Sequence, residues 1–544
     1  MGVVDDLRHA RSDFERGEWV GALEVWDGMD ASSISADDLC SAGTAAILLG
    51  RHDVAMQSFQ RAFERYLAAG NVPAAVRRAF HLTMVLLLRG ETSSGLGWLA
   101  RGQRLAAALP DGDLERGYLA FAQMFAHITT GRVDEAQRCA VAAADAARRH
   151  EDRDLLALGL CSQGRIAIYS ERVGEGLALL DEAMLEVTGG GLDPVITGQI
   201  YCTAIEGCQE IADYSRVTQW TRALDAWCSA QPGLVAFVGQ CSLHRGQIFR
   251  AYGAWDEALD EFAAAIERYR RAGSQAAIGL AAAERGDLLR LRGDAAGADD
   301  AYRLAADHGH DPQPGLALLW LMRGELQPAV AAARRVLAES PTSVARSRVL
   351  PGVIEILVAG GDLTGARAAA DELQTIATSF GTEPLLAQAA TCAGVVQLSD
   401  GDPAGALPYL RKARAGCARL EMPYAAGVVA LATARALLAM GDEQSAARDL
   451  QVARAAFERV GARVDLGRVD ELLGRPARPQ GLSEREIEIL QLVASGRSNA
   501  QIATALVLSE HTVARHLSNI FTKIGVANRT AAAAFAFDHG LLTG

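Results

Sequence analysis

Residues 45–63 read AAILLGRHDVAMQSFQRAF. An apolar helical run, Ala45-Ala46-x-Leu48-Leu49, meets Gly50, and a second run, Ala55-x3-Phe59-x2-Ala62-Phe63, begins five residues later. A glycine ends a helix without the steric penalty of a Cβ. A small residue five positions on lets the second helix pack closely against the first. The stretch predicts a helical hairpin. The same Gly-x4-Ala spacing recurs at Gly17/Ala22, Gly131/Ala136, Gly253/Ala258, Gly293/Ala298, Gly324/Ala329, Gly361/Ala366, Gly401/Ala406 and Gly441/Ala446. Weaker copies, Gly90/Gly95, Glu171/Gly176 and Asp213/Thr218, fill the gaps and make twelve units, mostly 40 residues apart. A lone hairpin cannot bury its apolar face, so the units must stack.

This pattern resembles a tetratricopeptide-type solenoid with a period near 40. The extra length implies longer helices or longer loops between repeats. Composition agrees. Half of the 544 residues are hydrophobic but only 6% are aromatic, and alanine is plentiful, which favours helices over strands. The fold class expected is all-α. No charge-free apolar run reaches the roughly 18 residues of a membrane span. The amino terminus, MGVVDDLRHARSDF, lacks the basic and apolar regions of a secretory signal. The nine cysteines are scattered, as reduced thiols would be. A cytoplasmic location without membrane contact is the expectation.

The last 64 residues read differently. Ser483-x-x-Glu486 and Ser498-x-x-Gln501 are capping boxes, Gly496 stops the first helix, and Ile502, Ala503 and Leu506 form the stripe of a short second one. Val507-Leu508-Ser509 is a tight connection, and Ser509 can cap a third helix. In that helix Val513, Leu517, Ile520 and Ile524 share the core face, while His511, Ala514, Arg515, Ser518, Asn519 and Thr522 share the opposite one. This is a helix-turn-helix pattern.

These residues resemble the DNA-binding domain of LuxR-type (GerE-type) transcription regulators. The match runs through Leu482-Ser483-x-Arg485-Glu486, Gly496-x-Ser498-Asn499, Ile502-Ala503, Leu506, Leu508-Ser509-Glu510-x-Thr512-Val513, His516-Leu517-x-Asn519-Ile520, Lys523-x-Gly525-Val526, Arg529-Thr530 and Gly540-Leu541. It covers the last eighth of the chain. The resemblance implies a recognition helix over Glu510 to Lys523, with base-edge contacts from Ala514, Arg515 and Ser518. Many family members carry lysine where Ala514 stands, so one usual contact is missing and Arg515 becomes the natural reader of a guanine. Asn499, His511, Thr512, His516, Asn519, Thr522 and Lys523 complete the implied DNA-binding set, several as backbone contacts. The fourth helix, from Arg529 on, is the family's dimer contact, here through Ala531, Ala534, Phe535 and Asp538. Double-stranded DNA and a second copy of the chain are the implied partners.

The expected organisation is a helical-repeat body over 1–471, a linker over 472–480 and the helix-turn-helix domain over 481–544. The net charge is −13. The domain itself is neutral and the linker adds Arg475 and Arg478, so the body carries −15. Phosphates repel an acidic body, which confines DNA contact to the tail. Only two lysines exist, Lys412 and Lys523. Neither sits in a P-loop, and no lysine serves a phospho-receiver pocket. The signal must therefore reach the tail through the repeats, from a small-molecule, peptide or protein effector. A scaffold protein that binds a partner through the solenoid is the alternative.

Residues 201–249 stand apart, with Cys202, Cys208, Cys228, Cys241, Trp220, Trp227 and His244. Cys241-x-x-His244 has ligand-like spacing, which keeps a thiol or metal sensor open, but burial explains cysteine and tryptophan here better. Asp307-His308-Gly309-His310-Asp311-Pro312 reads as a solvated loop between repeats. No motif of a catalytic site occurs, so neither an enzyme nor a bound cofactor or metal is expected.

Overall fold

The computed structural model describes residues 3–30, 33–474, 482, 484–539 and 541. Among these residues all 29 elements are helices, from Val3–Glu15 to Arg529–Asp538, and there is no strand. No described helix is long and apolar enough to cross a membrane. The chain divides into two compact units. One holds Met1–Arg290 and Ala295–Ala425; the other holds Leu291–Asp294 and Ala426–Gly544.

Twelve helical hairpins follow one another up to the helix Glu443–Val460, and a further helix, Arg463–Leu472, comes after them. The ten turn glycines expected from the spacing all adopt positive φ, between 71° and 87°. Glu171 takes the same left-handed conformation at 62°. In the sixth hairpin the register differs by one residue from the expected Asp213/Thr218. Ala212 is the left-handed residue, at φ 58°, and the close-packed position is the buried Val217. Asp213 caps the next helix by accepting from Arg216 N–H. The same grammar holds where Asp362, Asp402 and Asp442 follow a turn glycine and cap the second helix. An acidic cap one place after the left-handed residue is the signal that sets the register.

A side chain in this conformation costs about 1–2 kcal/mol. Glu171→Gly and Ala212→Gly are each expected to stabilise the body by roughly 0.5–1 kcal/mol, once the greater freedom of glycine in the unfolded chain is subtracted. A shift of the urea midpoint to higher concentration checks this.

The nine alanines five residues after the turns are all fully buried. A second small position recurs seven residues before the turn. Gly43, Gly164, Gly246, Gly286 and Gly394 lie under Phe59, Leu180, Phe262, Tyr302 and Leu410, and a Cβ there would stand 2.4–2.9 Å from those side chains. Longer helices explain the period. His52–Ala68 and Val72–Leu88 are each 17 residues long, and three-residue turns join such helices. Two helices and two turns make one repeat of 40.

Within the first unit the coil of repeats returns upon itself. Leu48 O accepts from both Val235 N–H and Ala236 N–H at 2.9 Å. His52 Nε2 lies 3.3 Å from Ala272 O, 220 residues away. Thr382 Oγ1 donates to Ile211 O at 2.6 Å across 171 residues, and the Trp255 and Tyr424 rings are 5.2 Å apart. Successive superhelical turns thus touch.

The odd block has a structural role in this closure. Its loop 230–237 is the segment that reaches Leu48. Cys202, Cys208, Cys228, Cys241 and Trp220 are buried, and Trp227 packs between Tyr201 and Phe237. Burial pushes the Cys202 and Cys208 thiols well above their ordinary range. Cys241 Sγ donates to Asp225 Oδ1 at 3.4 Å, while His244 Nδ1 pairs with Gln247 Oε1 at 3.2 Å. The two sequence candidates thus face different partners, and no trio of His, Cys, Asp or Glu arranged for a metal occurs among the described residues. The loop 308–314 does join two repeats, but His310 departs from the solvated expectation. It is half-buried against Gly279, and burial lowers its pKa.

Candidate nucleic-acid interface

Four helices form the carboxy-terminal site: Glu484–Ala494, Asn499–Leu506, Glu510–Lys523 and Arg529–Asp538. Each start has a chemical reason. Ser498 and Gln501 make the full reciprocal capping box. Ser509 Oγ accepts from Thr512 N–H at 3.0 Å, and Asn528 Oδ1 accepts from Ala531 N–H at 2.9 Å. Gly496, at φ 79°, closes the first helix. The expected box at Ser483 lies outside the described residues, as do most of the linker and its Arg475 and Arg478.

The turn between the second and third helices has an unusual residue. Val507 sits at φ 54°, a left-handed conformation that a β-branched side chain resists, and is 91% exposed. Leu508 N–H returns to Ala503 O at 2.9 Å and tightens the turn.

The core face of the third helix is as expected: Val513, Leu517, Ile520 and Ile524 are buried with Ile489, Leu490, Val493 and Ile502. On the other face His511, Ala514, Arg515, Ser518, Asn519 and Thr522 are all exposed, and Thr512 and His516 are half-buried at its edge. Arg515 forms no ion pair among the described residues. Two hydroxyls of the set are engaged locally: Thr522 donates to Ser518 O at 3.0 Å, and Thr512 pairs with Ser509 at 2.7 Å.

Two residues of the implied DNA set are bonded within the frame. Lys523 Nζ binds both carboxylate oxygens of Glu486, at 2.5 and 2.6 Å. Glu486 is 5% exposed. Asn499 Oδ1 accepts from Arg529 Nη1 at 2.9 Å, and Arg529 Nη2 donates to Arg497 O. Arg485 pairs with Glu488 at 2.8 Å and donates to Leu506 O, at the end of the second helix. Gln491 Nε2 donates to Leu541 O at 2.6 Å. These bonds tie the first helix to the second and the third, and the second to the fourth.

The fourth helix is not a uniform alanine surface. Ala532 and Ala536 are core residues, Ala531 and Ala533 are half-buried, and Ala534 is exposed. Phe535 is packed against the core and stacks on His539 at 3.9 Å. The side chain of Asp538 lies outside the described ones. Phe537, 63% exposed, is the large apolar group that this helix presents. It was missed because its position falls outside the stripe that the resemblance marks.

Residues 480–536 match the family model described as bacterial regulatory proteins, luxR family. The response regulator protein VraR of Staphylococcus aureus is 49% identical over 61 residues, 11% of this chain and 29% of that protein; VraR of Staphylococcus epidermidis matches to the same degree. The chain thus spans less than a third of the length of these relatives. Among solved structures, a Rap protein in complex with competence and sporulation factor aligns over 71% of this chain and 98% of its own, at 13% identity and TM-score 0.39. The Cut9–Hcn1 hetero-tetramer of the APC/C aligns over 85% and 95%, at 13% identity and TM-score 0.35. The carboxy-terminal segment of this chain is a LuxR-type (GerE-type) helix-turn-helix domain.

Proposed function

We propose that the protein is a sequence-specific DNA-binding transcription regulator, with Glu510–Lys523 in the major groove and the helical-repeat body as the receiver of its signal. The observation that carries this reading is the contrast between the two sets of polar side chains in the domain. Arg485, Asn499, Lys523 and Arg529 are engaged within the frame. His511, Arg515, Ser518 and Asn519 stand exposed on one helix face. A helix of this kind fits the major groove, and arginine donates in a fork to guanine O6 and N7.

With Lys523 held by Glu486, Arg515 is the cation of the recognition helix left to face DNA. A domain with so little free positive charge binds weakly as one copy. Pairing through the fourth helix, around Ala534 and Phe537, gives two tails and an inverted-repeat site. The acidic body adds no phosphate contact. It acts by setting the exposure or pairing of the tails in response to an effector. The site of action is the cytoplasm, where the chromosome of a bacterial regulator lies.

Mobility-shift assays on genomic fragments test the reading. Arg515→Ala is expected to weaken specific binding by about ten- to a hundredfold, the equivalent of roughly 1–3 kcal/mol for one bidentate base contact. Unchanged affinity overturns the assignment of this helix to the groove.

A further inference from the structure

We propose that a cavity in the first unit is a binding site for a small zwitterion of the amino-acid class, its carboxylate on Arg78 and its ammonium on Asp154. The cavity has a volume of about 220 Å³. Its lining comes only from the first helices of hairpins one to six and the residue that caps the last of them. Six consecutive repeats therefore converge on one space, on the concave side of the coil.

Most of the charge around it is already engaged. Arg77 gives a two-pronged bond to Glu115, at 2.8 and 3.0 Å, and lies over the Tyr118 ring at 3.4 Å. Tyr118 in turn donates to Asp152 at 2.9 Å. Asp193 accepts from Val195 N–H and Ile196 N–H as the cap of its helix. Two groups lack an ion pair among the described residues, although Arg78 bonds the Cys40 thiol and lies near Asp193. Arg78 forms no ion pair among the described residues, and its Nε is buried without a partner. Asp154 accepts one backbone N–H, from Asp193 at 2.9 Å, and among the described residues forms no ion pair, although Arg77 is near enough to favour its charged form. Burial raises its carboxyl to about 6. Both residues are half-buried, charge in such surroundings gains from an ion-pair partner, and these two do not pair with each other.

A ligand with one anionic and one cationic end satisfies both groups. Phe14 and Ile196 add an apolar wall for a side chain. The space is smaller than the roughly 300–1,000 Å³ typical of larger ligands, which points to a free amino acid or a dipeptide rather than a longer peptide. The inference deepens the effector role proposed for the body and rests on that reading for its consequence. Binding itself is measured without DNA, so failure here and failure of the DNA reading are separate results.

The experiment is calorimetric titration of the full chain with each of the free L-amino acids and glycyl-leucine. Propionate and methylamine serve as single-charge controls. At least one zwitterion is expected to bind with Kd below about 1 mM, and the single-charge controls at least about tenfold more weakly. Arg78→Gln and Asp154→Asn are each expected to lose about tenfold or more in affinity. Asp154→Asn keeps the acceptor for Asp193 N–H, and unchanged far-ultraviolet circular dichroism confirms its fold. If none of the wild-type titrations shows binding at about 10 mM, the proposal is wrong. It is equally wrong if both variants bind as the wild type does, or if propionate alone binds as tightly as the zwitterion.

Discussion

Replacing Lys523 with alanine is expected to lower hydrogen-exchange protection of the helix Glu510–Lys523 roughly a hundredfold in the full chain, the equivalent of about 3 kcal/mol. The cause is Glu486. Its carboxylate is almost wholly buried and receives the Lys523 ammonium on both oxygens. Removing the ammonium takes away the cation that bonds both oxygens of this buried carboxylate. Loss of one partner of a buried pair costs about 3–5 kcal/mol, and the Lys523 side chain, 23% exposed, places this pair at the lower end. Replacing both partners with apolar residues of similar size, Glu486→Leu with Lys523→Met, is expected to restore most of the protection, because the buried carboxylate is removed together with its cation. If the double variant also recovers DNA binding, Lys523 acts as a brace for the recognition helix. Full protection in Lys523→Ala would show that the pair does not hold the helices together.

A second large effect is expected in the body. Gly43 lies under the Phe59 ring, and a Cβ at this position would stand 2.4 Å from one ring carbon and within 2.8 Å of two more. Phe59 is fully buried and has no room to retreat. Gly43→Ala therefore overpacks the hairpin, at a cost of about 1–3 kcal/mol against a gain in helix propensity of at most about 1 kcal/mol. The net loss is expected as a lower urea midpoint and as faster proteolysis within residues 36–68. Gly43→Ala combined with Phe59→Leu removes the ring atoms that clash and is expected to recover part of the loss. Because each repeat leans on its neighbours, the weakness spreads along the array. An unchanged midpoint would mean that the first helix shifts freely on the second, contrary to the close packing.

The turns and the small residues after them were legible in the sequence because their requirements are local. A left-handed residue asks for glycine, and the close crossing asks for alanine, wherever the hairpin sits. The same locality explains the one-residue slip at Ala212. With no glycine to mark the turn, the only sign is the capping Asp213, which lies one residue past it. The glycines before the turns, such as Gly246 under Phe262, share a fixed offset that could have been found. They were hidden inside ordinary-looking helical runs, where glycine reads only as a weak helix former. Contacts across about 170–220 residues, such as Leu48 with Val235, had no local sign at all. They depend on the accumulated twist of several repeats.

In the tail the third helix was legible to the residue, since its caps and its stripe are both short-range. The roles of Lys523 and Asn499 were not. Each is a polar residue near a DNA-facing surface, and the sequence does not say that Glu486 and Arg529 fold back to meet them. The Cys and Trp block is buried, as its residue types favour. What the sequence does not show is that its loop reaches Leu48 and closes the coil of repeats.

Selection of the full-length protein on random duplex DNA tests the proposed function at its core. Enriched sequences are expected to form an inverted repeat, with half-sites about one helical turn apart and a guanine in each that Arg515→Ala no longer selects. Binding without any sequence enrichment, or the same guanine selected by Arg515→Ala, would contradict the assignment of Glu510–Lys523 as the reading helix.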